Sequence, residues 1–259
     1  MIFVVNTKSK PFHGILIYRK NYRENDMLVK FFTAEAGKKM FFVRGANRPK
    51  FKMISDILPF SYGTYEGELR GNGLSYIDSG GSVKHFDQIS EDIYLNGYAT
   101  YLMGLIDAAL PDNVPNKIWF DKLFYALNLI NNGFDAEIIT NIFEIQLLPL
   151  FGVAPDFKNC TVCHEEHQIY DYSEKFGGLI GEQEFAHDSH RMHLDQRTIY
   201  YLRLFSAVDI TKINNIKVNR VTKQKLRQVI DKIYDNSVGL NLKSKKFLDQ
   251  MNSWKIKLN

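Results

Sequence analysis

The sequence predicts an α+β chain: a five-stranded β-barrel at the N-terminus, followed by an α-helical domain that carries a small irregular insertion. Two observations predict it. Over residues 13–78, short runs rich in β-branched and aromatic residues alternate with turn residues, and no helix-length segment intervenes. That texture favours a small closed or partly closed barrel over a parallel sheet, which needs crossover helices. Beyond Ser79-Gly80-Gly81-Ser82, apolar residues recur at three- and four-residue intervals instead, the spacing of one helix face. A boundary is therefore expected at residue 80, with a barrel domain over 1–80 and a helical domain over 81–259.

Each element follows from its residues. HGILIYRK, DMLVKFFT and KKMFFVRG read as the first three strands, punctuated by Asn25-Asp26 and Ala36-Gly37. DILPFSYGTYEGELR and GLSYIDSG supply two more. An oligonucleotide-binding (OB) barrel has this strand count. In SEDIYLNGYATYLMGLIDAAL, a helix is expected from the stripe Ile93, Tyr98, Tyr101, Leu102, Leu105, Ile106 and Ala109. Ser90 is its expected N-cap, and Glu91 and Asp92 read as acids complementing the helix start, not as a catalytic pair. Further helices are expected over 117–132 (ended by Gly133), 135–150, 195–206 and 222–236, with Thr222 capping the last. These stripes face a core. Residues 155–193 break the pattern with Pro155, Gly177-Gly178, both cysteines and five of the seven histidines. They read as a module inserted into the helical domain.

Composition narrows the class. The chain has 259 residues, 45% hydrophobic and 24% charged, ordinary for a globular protein. No window approaches the ~18 apolar residues of a membrane span. The opening MIFVVNTKSKPFHG lacks a basic segment followed by an apolar core, so no secretory signal is expected. Cys160 and Cys163 are too close to staple a fold and fit a reducing compartment, so the expected location is the cytoplasm. Charge is unevenly spread. Residues 1–60 carry 12 Lys+Arg against 4 Asp+Glu, residues 61–216 carry 10 against 22, and residues 217–259 carry 11 against 3. A basic front, an acidic middle and a basic tail suit a protein that meets a polyanion with one face and other partners elsewhere.

The chemistry concentrates in VRGANRPKFK, which holds Arg44, Arg48, Lys50 and Lys52 and no acid. Gly45 and Pro49 shape it as a loop, and Phe51 sets an aromatic among the cations. Cations track a phosphate backbone, while an aromatic face stacks any base. Arg19, Lys20 and Arg23 could extend the same face. The alternative is a solvated loop; the lack of any relieving acid favours binding. Cys160-Thr-Val-Cys163, with His164, His167, His187, His190 and His193 nearby, is half of a structural zinc site. The strong form needs a second Cys-x-x-Cys some 15–20 residues on, where this chain reads GGLIGEQEF. The expectation is a half site without tightly bound zinc, and no other cofactor. No phosphate-binding loop or nucleophile elbow occurs, so nothing argues for an enzyme.

These residues resemble the RecO family of bacterial recombination mediators. The resemblance rests on Gly14–Ile17, then Tyr22, Glu24 and Asp26 as a Y-x-E-x-D turn, then the F-T-x-x-x-G-K strand end at Phe32–Lys38, then the G-A-(basic)₂-P-(basic) loop at Gly45–Lys50. Asn47 stands where a second basic residue is common. LPFSYGTYEGELRGNGLSYI, EDIYLNGYATYLMGLID and VGLNLKSKKFL continue the likeness in order through most of the chain. The resemblance implies an OB domain followed by a helical domain with a zinc-finger-like knob. It also implies a non-enzymatic protein that binds single- and double-stranded DNA and anneals complementary strands. Those strands can be coated by single-strand-binding protein (SSB). With RecR, it would help load RecA during repair at the nucleoid. Many relatives carry Cys-x-x-Cys twice; here the second pair is replaced by Gly181 and Glu184.

On this reading Arg44, Arg48, Lys50 and Lys52, with Arg19, Lys20, Arg23 and Arg70, neutralise phosphates. Two strands held on one basic surface then lose mutual repulsion. The SSB tail is acidic and ends in hydrophobic residues, and a groove between helices with basic rims would suit it. Lys243, Lys245 and Lys246, with Lys255 and Lys257, are the candidate rim or a second DNA surface. Two rivals remain: an OB-type RNA-binding module, and a protein scaffold whose basic loop meets an acidic partner.

Overall fold

The computed structural model describes residues 9–258, with side chains described through residue 253. The opening residues on which the leader reading rests, and the side chains of Lys255 and Lys257, lie outside the described residues. In chain order the elements are β1 (Lys10–Tyr22), β2 (Asp26–Thr33), β3 (Gly37–Val43), β4 (Ser61–Glu68), β5 (Ser75–His85), α1 (Asp87–Glu91), α2 (Ile93–Ala109), α3 (Lys117–Asn131), α4 (Ala136–Leu147), β6 (Tyr170–Ser173), β7 (Gly178–Gly181), α5 (Gln196–Ala207), α6 (Arg220–Ile233) and α7 (Lys243–Leu258). Among the described residues, no helix is long and apolar enough to cross a membrane.

The expected five strands form a closed barrel in the order β1-β2-β3-β5-β4. Every pairing is antiparallel except β3 with β5. Its interior is aromatic. Phe12 stacks on Phe41 at 5.1 Å and on Tyr65 at 5.7 Å, and Phe31 lies edge-on to Phe41 and Tyr65. All four are fully buried. Tyr65 places its hydroxyl by donating to the Asp56 carbonyl at 2.9 Å.

One expected feature is corrected. Ser79-Gly80-Gly81-Ser82 does not end the barrel; it lies inside β5, which runs on to His85. The boundary expected at residue 80 therefore falls within a strand. Its glycines answer to a close approach instead: a Cβ at Gly80 would sit 2.4 Å from the Asp56 carboxylate. The chain forms two compact units, one of residues 1–133 with 243–259, the other of residues 134–242. The barrel thus shares a unit with α1, α2, α3 and α7. Gly97 on α2 admits α7, since a Cβ there would lie 2.8 Å from Met251.

The caps also differ from expectation. Asp92, not Ser90, caps α2, accepting from the backbone N–H of Tyr94 and Leu95; Ser90 belongs to the short α1. Asn219, not Thr222, caps α6, and Thr222 supplies the N–H that Asn219 accepts. An N-cap carboxylate or amide reaches the N2 and N3 amides only from the position just before the helix. The helix expected over 135–150 stops at Leu147, where Pro149 forces a tighter turn over Leu148–Phe151. The irregular 155–193 stretch contains a hairpin, β6 with β7.

The barrel is fastened to its helices through two buried lysines. Lys30 and Lys38 each reach both Asp107 on α2 and Asp112. Stripping water from an ammonium costs several kcal/mol, and here two carboxylates meet both lysines. At Lys30 burial pulls the pKa down, but the hydrogen bonds it donates to Asp107 and Asp112 outweigh it and the net shift is upward. Gly37 makes the turn before Lys38 at φ +71, and a Cβ there would lie 2.1 Å from the Val114 carbonyl. The Thr33 hydroxyl donates to the Gly37 carbonyl at 2.8 Å and accepts from Ala36 N–H at 3.1 Å. The F-T-x-x-x-G-K run is thus a stapled turn that aims Lys38 at its carboxylates.

Candidate nucleic-acid interface

The basic loop leaves β3 at Val43 and is held by the β1–β2 turn. Asp26 Oδ1 accepts from Gly45 N–H at 2.8 Å, the Asn47 amide donates to the Asp26 carbonyl, and Asn47 N–H donates to the Asn25 carbonyl at 3.0 Å. Gly45 has φ +68, which only glycine adopts cheaply. The turn motif and the loop motif are therefore one structure, with the Asp26 carboxylate as the clasp. Asn47 serves the same clasp.

Arg44, Arg48, Lys50 and Lys52 are all exposed, and among the described residues none has a carboxylate within ion-pairing distance. They line an open groove of about 670 Å³ together with Phe42, Tyr76 and, on one wall, Asp78. Phe51 also lines it, but it is half-buried and packs against the barrel core. Its expected role as a free stacking face is corrected: it anchors the loop.

The outward aromatic rings come from the strands. Lys20 lies opposite Leu28, Leu28 opposite Phe42, and Phe42 opposite Tyr76. Residues directly opposite share a face, so these form one outward row. Tyr22, two residues past Lys20, shares it. The Tyr22 and Tyr76 rings each lie 6.1 Å from Phe42, edge to face. Cations cap both ends: Arg23 sits 5.2 Å over Tyr22, and Arg70 sits 4.5 Å over Tyr76. Farther along the same face Phe32 packs on Phe120 of α3, and Lys30 meets α2. The helices thus cover one half of the barrel face and leave the other open.

The remaining expected cations divide. Arg19 points the other way from Lys20, since it pairs with Val29 on the core side. It is half-buried and donates to the Ile57 carbonyl at 3.1 Å. Arg70 makes a two-pronged bond to Glu68, at 2.6 and 3.1 Å, and that carboxylate raises its pKa. Its charge is already met, though its plane still covers Tyr76. Lys243 and Lys246 are exposed on α7, while Lys245 pairs with Asp249 one turn on. The aromatic row was missed from sequence. Its one signal is Phe41-Phe42: adjacent strand residues face opposite ways, so one of the two must face out.

In the second unit, Cys160, Cys163 and His167 bring their donor atoms within 4.8 Å of one another. His164, His187, His190 and His193 are exposed and lie outside this cluster. A separate groove of about 400 Å³ is lined by Tyr170, Ile199, Tyr200, Arg203 and Leu204. Tyr200 is 59% exposed there, and Arg203 lies over Tyr170 at 5.1 Å.

A closed barrel of this strand order, with its helical partner, defines an OB-type barrel protein of α+β class. The comparisons with known proteins agree in detail. Residues 9–86 match the family model Recombination protein O N terminal, and residues 90–246 match Recombination protein O C terminal. The protein named DNA repair protein RecO in Levilactobacillus brevis is 51% identical over 247 residues, covering 95% of each chain. Its namesakes in Lactiplantibacillus plantarum and Latilactobacillus sakei are 52% and 49% identical, covering 94% and 95% of this chain and 94% and 90% of their own. The chain belongs to the RecO family.

Proposed function

We propose that the chain is a recombination mediator in DNA repair. It binds single- and double-stranded DNA on the open half of the barrel face and anneals complementary strands, including SSB-coated ones. With RecR it helps load RecA, acting in the cytoplasm at the nucleoid. One observation carries this reading: unpaired loop cations border a row of three outward aromatics. The cations neutralise phosphates and release counterions. Stacking on an aromatic of this row is worth about 1–3 kcal/mol per base, whatever its identity. Such a surface holds a strand without reading its sequence, and lowers the repulsion between two strands brought together. No bond is made or broken, so the work is kinetic and needs no catalytic residue.

Partners need other surfaces. An acidic tail with apolar end residues, such as that of SSB, suits the groove under Tyr200, where Tyr200 and Leu204 offer apolar contact and Arg203 a charge. The exposed Lys243 and Lys246 on α7 are the second candidate.

Fluorescence anisotropy of labelled oligo-dT tests the reading, paired with annealing of complementary oligonucleotides bare or SSB-coated. The expected result is binding that weakens steeply with salt and faster annealing in both formats. Preference for structured RNA over oligo-dT would favour an RNA-binding module. Failure to bind either, with firm binding to RecR, would leave a protein scaffold.

A further inference from the structure

Asp78 is the one acid lining the groove of the basic loop. It is exposed, and among the described residues no ion pair or hydrogen bond engages its carboxylate. Arg44, Arg48, Lys50 and Lys52 line the same groove, yet none of them pairs with it. A carboxylate left unpaired beside four cations weakens a phosphate site. A surface shaped for phosphate alone would be better without it.

The backbone sets Asp78 apart. Against β4, Ile77 lies opposite Gly67 and Ser79 opposite Glu66, which leaves Asp78 as the extra residue of a β-bulge. Against β3, the pairing joins Phe41 to Ser75 and Phe42 to Tyr76 and ends there. Asp78 therefore has no residue opposite it on either neighbouring strand. A bulge takes its extra residue out of the ladder and is a common way to aim a side chain beside a site.

The groove divides its polar groups by side. The four cations come from the loop and only donate hydrogen bonds, while the Phe42 and Tyr76 rings and Asp78 come from the strands. The Tyr76 hydroxyl aside, Asp78 is the only side chain lining the groove that accepts a hydrogen bond. A strand whose phosphates follow the loop turns its bases toward the rings, and the charge of Asp78 keeps phosphates off that side. Base carbonyls and ring nitrogens find donors in the cations. A base amino group needs an acceptor, and an ionised carboxylate is an acceptor only.

We infer that Asp78 makes the groove favour bases with an exocyclic amino group (cytosine, adenine and guanine) over thymine and uracil, by accepting a hydrogen bond from that group. The inference rests on the reading of this groove as the single-strand site. A carboxylate accepting from the cytosine amine is a good pairing, whereas thymine and uracil would turn a carbonyl oxygen toward it. The loop cations and the rings are indifferent to base identity, and Asp78 adds a modest preference to them.

The test compares labelled oligo-dC with oligo-dU of equal length by fluorescence anisotropy at one salt concentration. Cytosine carries an amine at the ring carbon where uracil carries a carbonyl. The parent is expected to bind oligo-dC about fivefold more tightly, the low end of what one good base contact discriminates. Asp78→Ala should bring that ratio close to one, chiefly by tightening oligo-dU. The side chain is exposed and unpartnered, so its loss strands no buried group. A parent that binds both oligomers equally overturns the inference and leaves the single-strand site standing. So does an Asp78→Ala variant that tightens both by the same factor, since the carboxylate then acts through its charge alone. A parent that binds neither oligomer overturns the site and the inference together.

Discussion

Changing Arg44, Arg48, Lys50 and Lys52 together to Ala lowers affinity for oligo-dT by about 10²–10³-fold at roughly 0.1 M salt. The size follows from counterion release. Each phosphate contact on a single strand contributes about 0.7 to the log–log salt slope, so four contacts are worth about 0.7 log unit each at that salt. The slope itself should flatten by about 3. All four side chains are exposed, so the substitutions leave no buried partner behind and the barrel stays folded. Phe42→Ala gives the contrasting result: affinity drops by about 1–3 kcal/mol while the slope holds, because a stacked ring releases no counterion. Anisotropy at four salt concentrations separates the two. Equal binding and an unchanged slope in the fourfold variant would clear the loop of phosphate contact and move attention to Lys243 and Lys246 on α7.

The loop suits the role proposed for it because it is held in place. Four like charges on an unrestrained segment would spread apart and lose entropy on binding. Here Asp26 ties Gly45, Asn47 ties Asn25, and Phe51 sinks into the barrel. The cations are presented on a fixed frame, so less ordering is left for the moment of contact.

What could be read from sequence, and what could not, follows from range. The strands and helices rest on local periodicity, and their order was legible. The cation loop was legible too, since four charges without an acid need no tertiary context to stand out. The aromatic row was not: Tyr22, Phe42 and Tyr76 come from three strands, and only the register of β1, β2, β3 and β5 sets them side by side. The parallel β3–β5 pairing matters most, because it joins residues 34 positions apart in the chain. The split of Arg19 from Lys20 has the same origin. Ser79–Ser82 misled for a different reason. Glycines read as a linker when they stand alone, yet here they let β5 pass close to Asp56 and Thr64. His167 was one of five histidines in the insertion, and only the fold shows that its ring lies beside Cys163, in the space that Gly181 leaves open.

The largest stability effect is expected at Arg227. Glu144 on α4 is fully buried, and Arg227 on α6 meets it with two parallel bonds, at 2.6 and 3.1 Å. The same guanidinium reaches the Asn141 side chain at 3.0 Å and Asp231 at 3.0 Å. The Glu144 carbonyl accepts from the Tyr234 hydroxyl at 3.0 Å, which fixes the end of α6 to α4. Arg227→Ala removes the charge that faces Glu144 but leaves Glu144 in place. A carboxylate stranded in the interior costs about 3–5 kcal/mol, a large part of a domain's total of ~5–15. Arg227→Met with Glu144→Leu removes both charges and keeps most of the volume, and apolar replacement of a whole buried pair is near neutral. Amide exchange of α4 and α6 measures both. In the single variant it should quicken by about two to three orders of magnitude, and in the double variant it should return toward the parent rate. A single variant that exchanges like the parent would mean that apolar packing alone joins these helices, with the ion pair contributing nothing beyond its own desolvation.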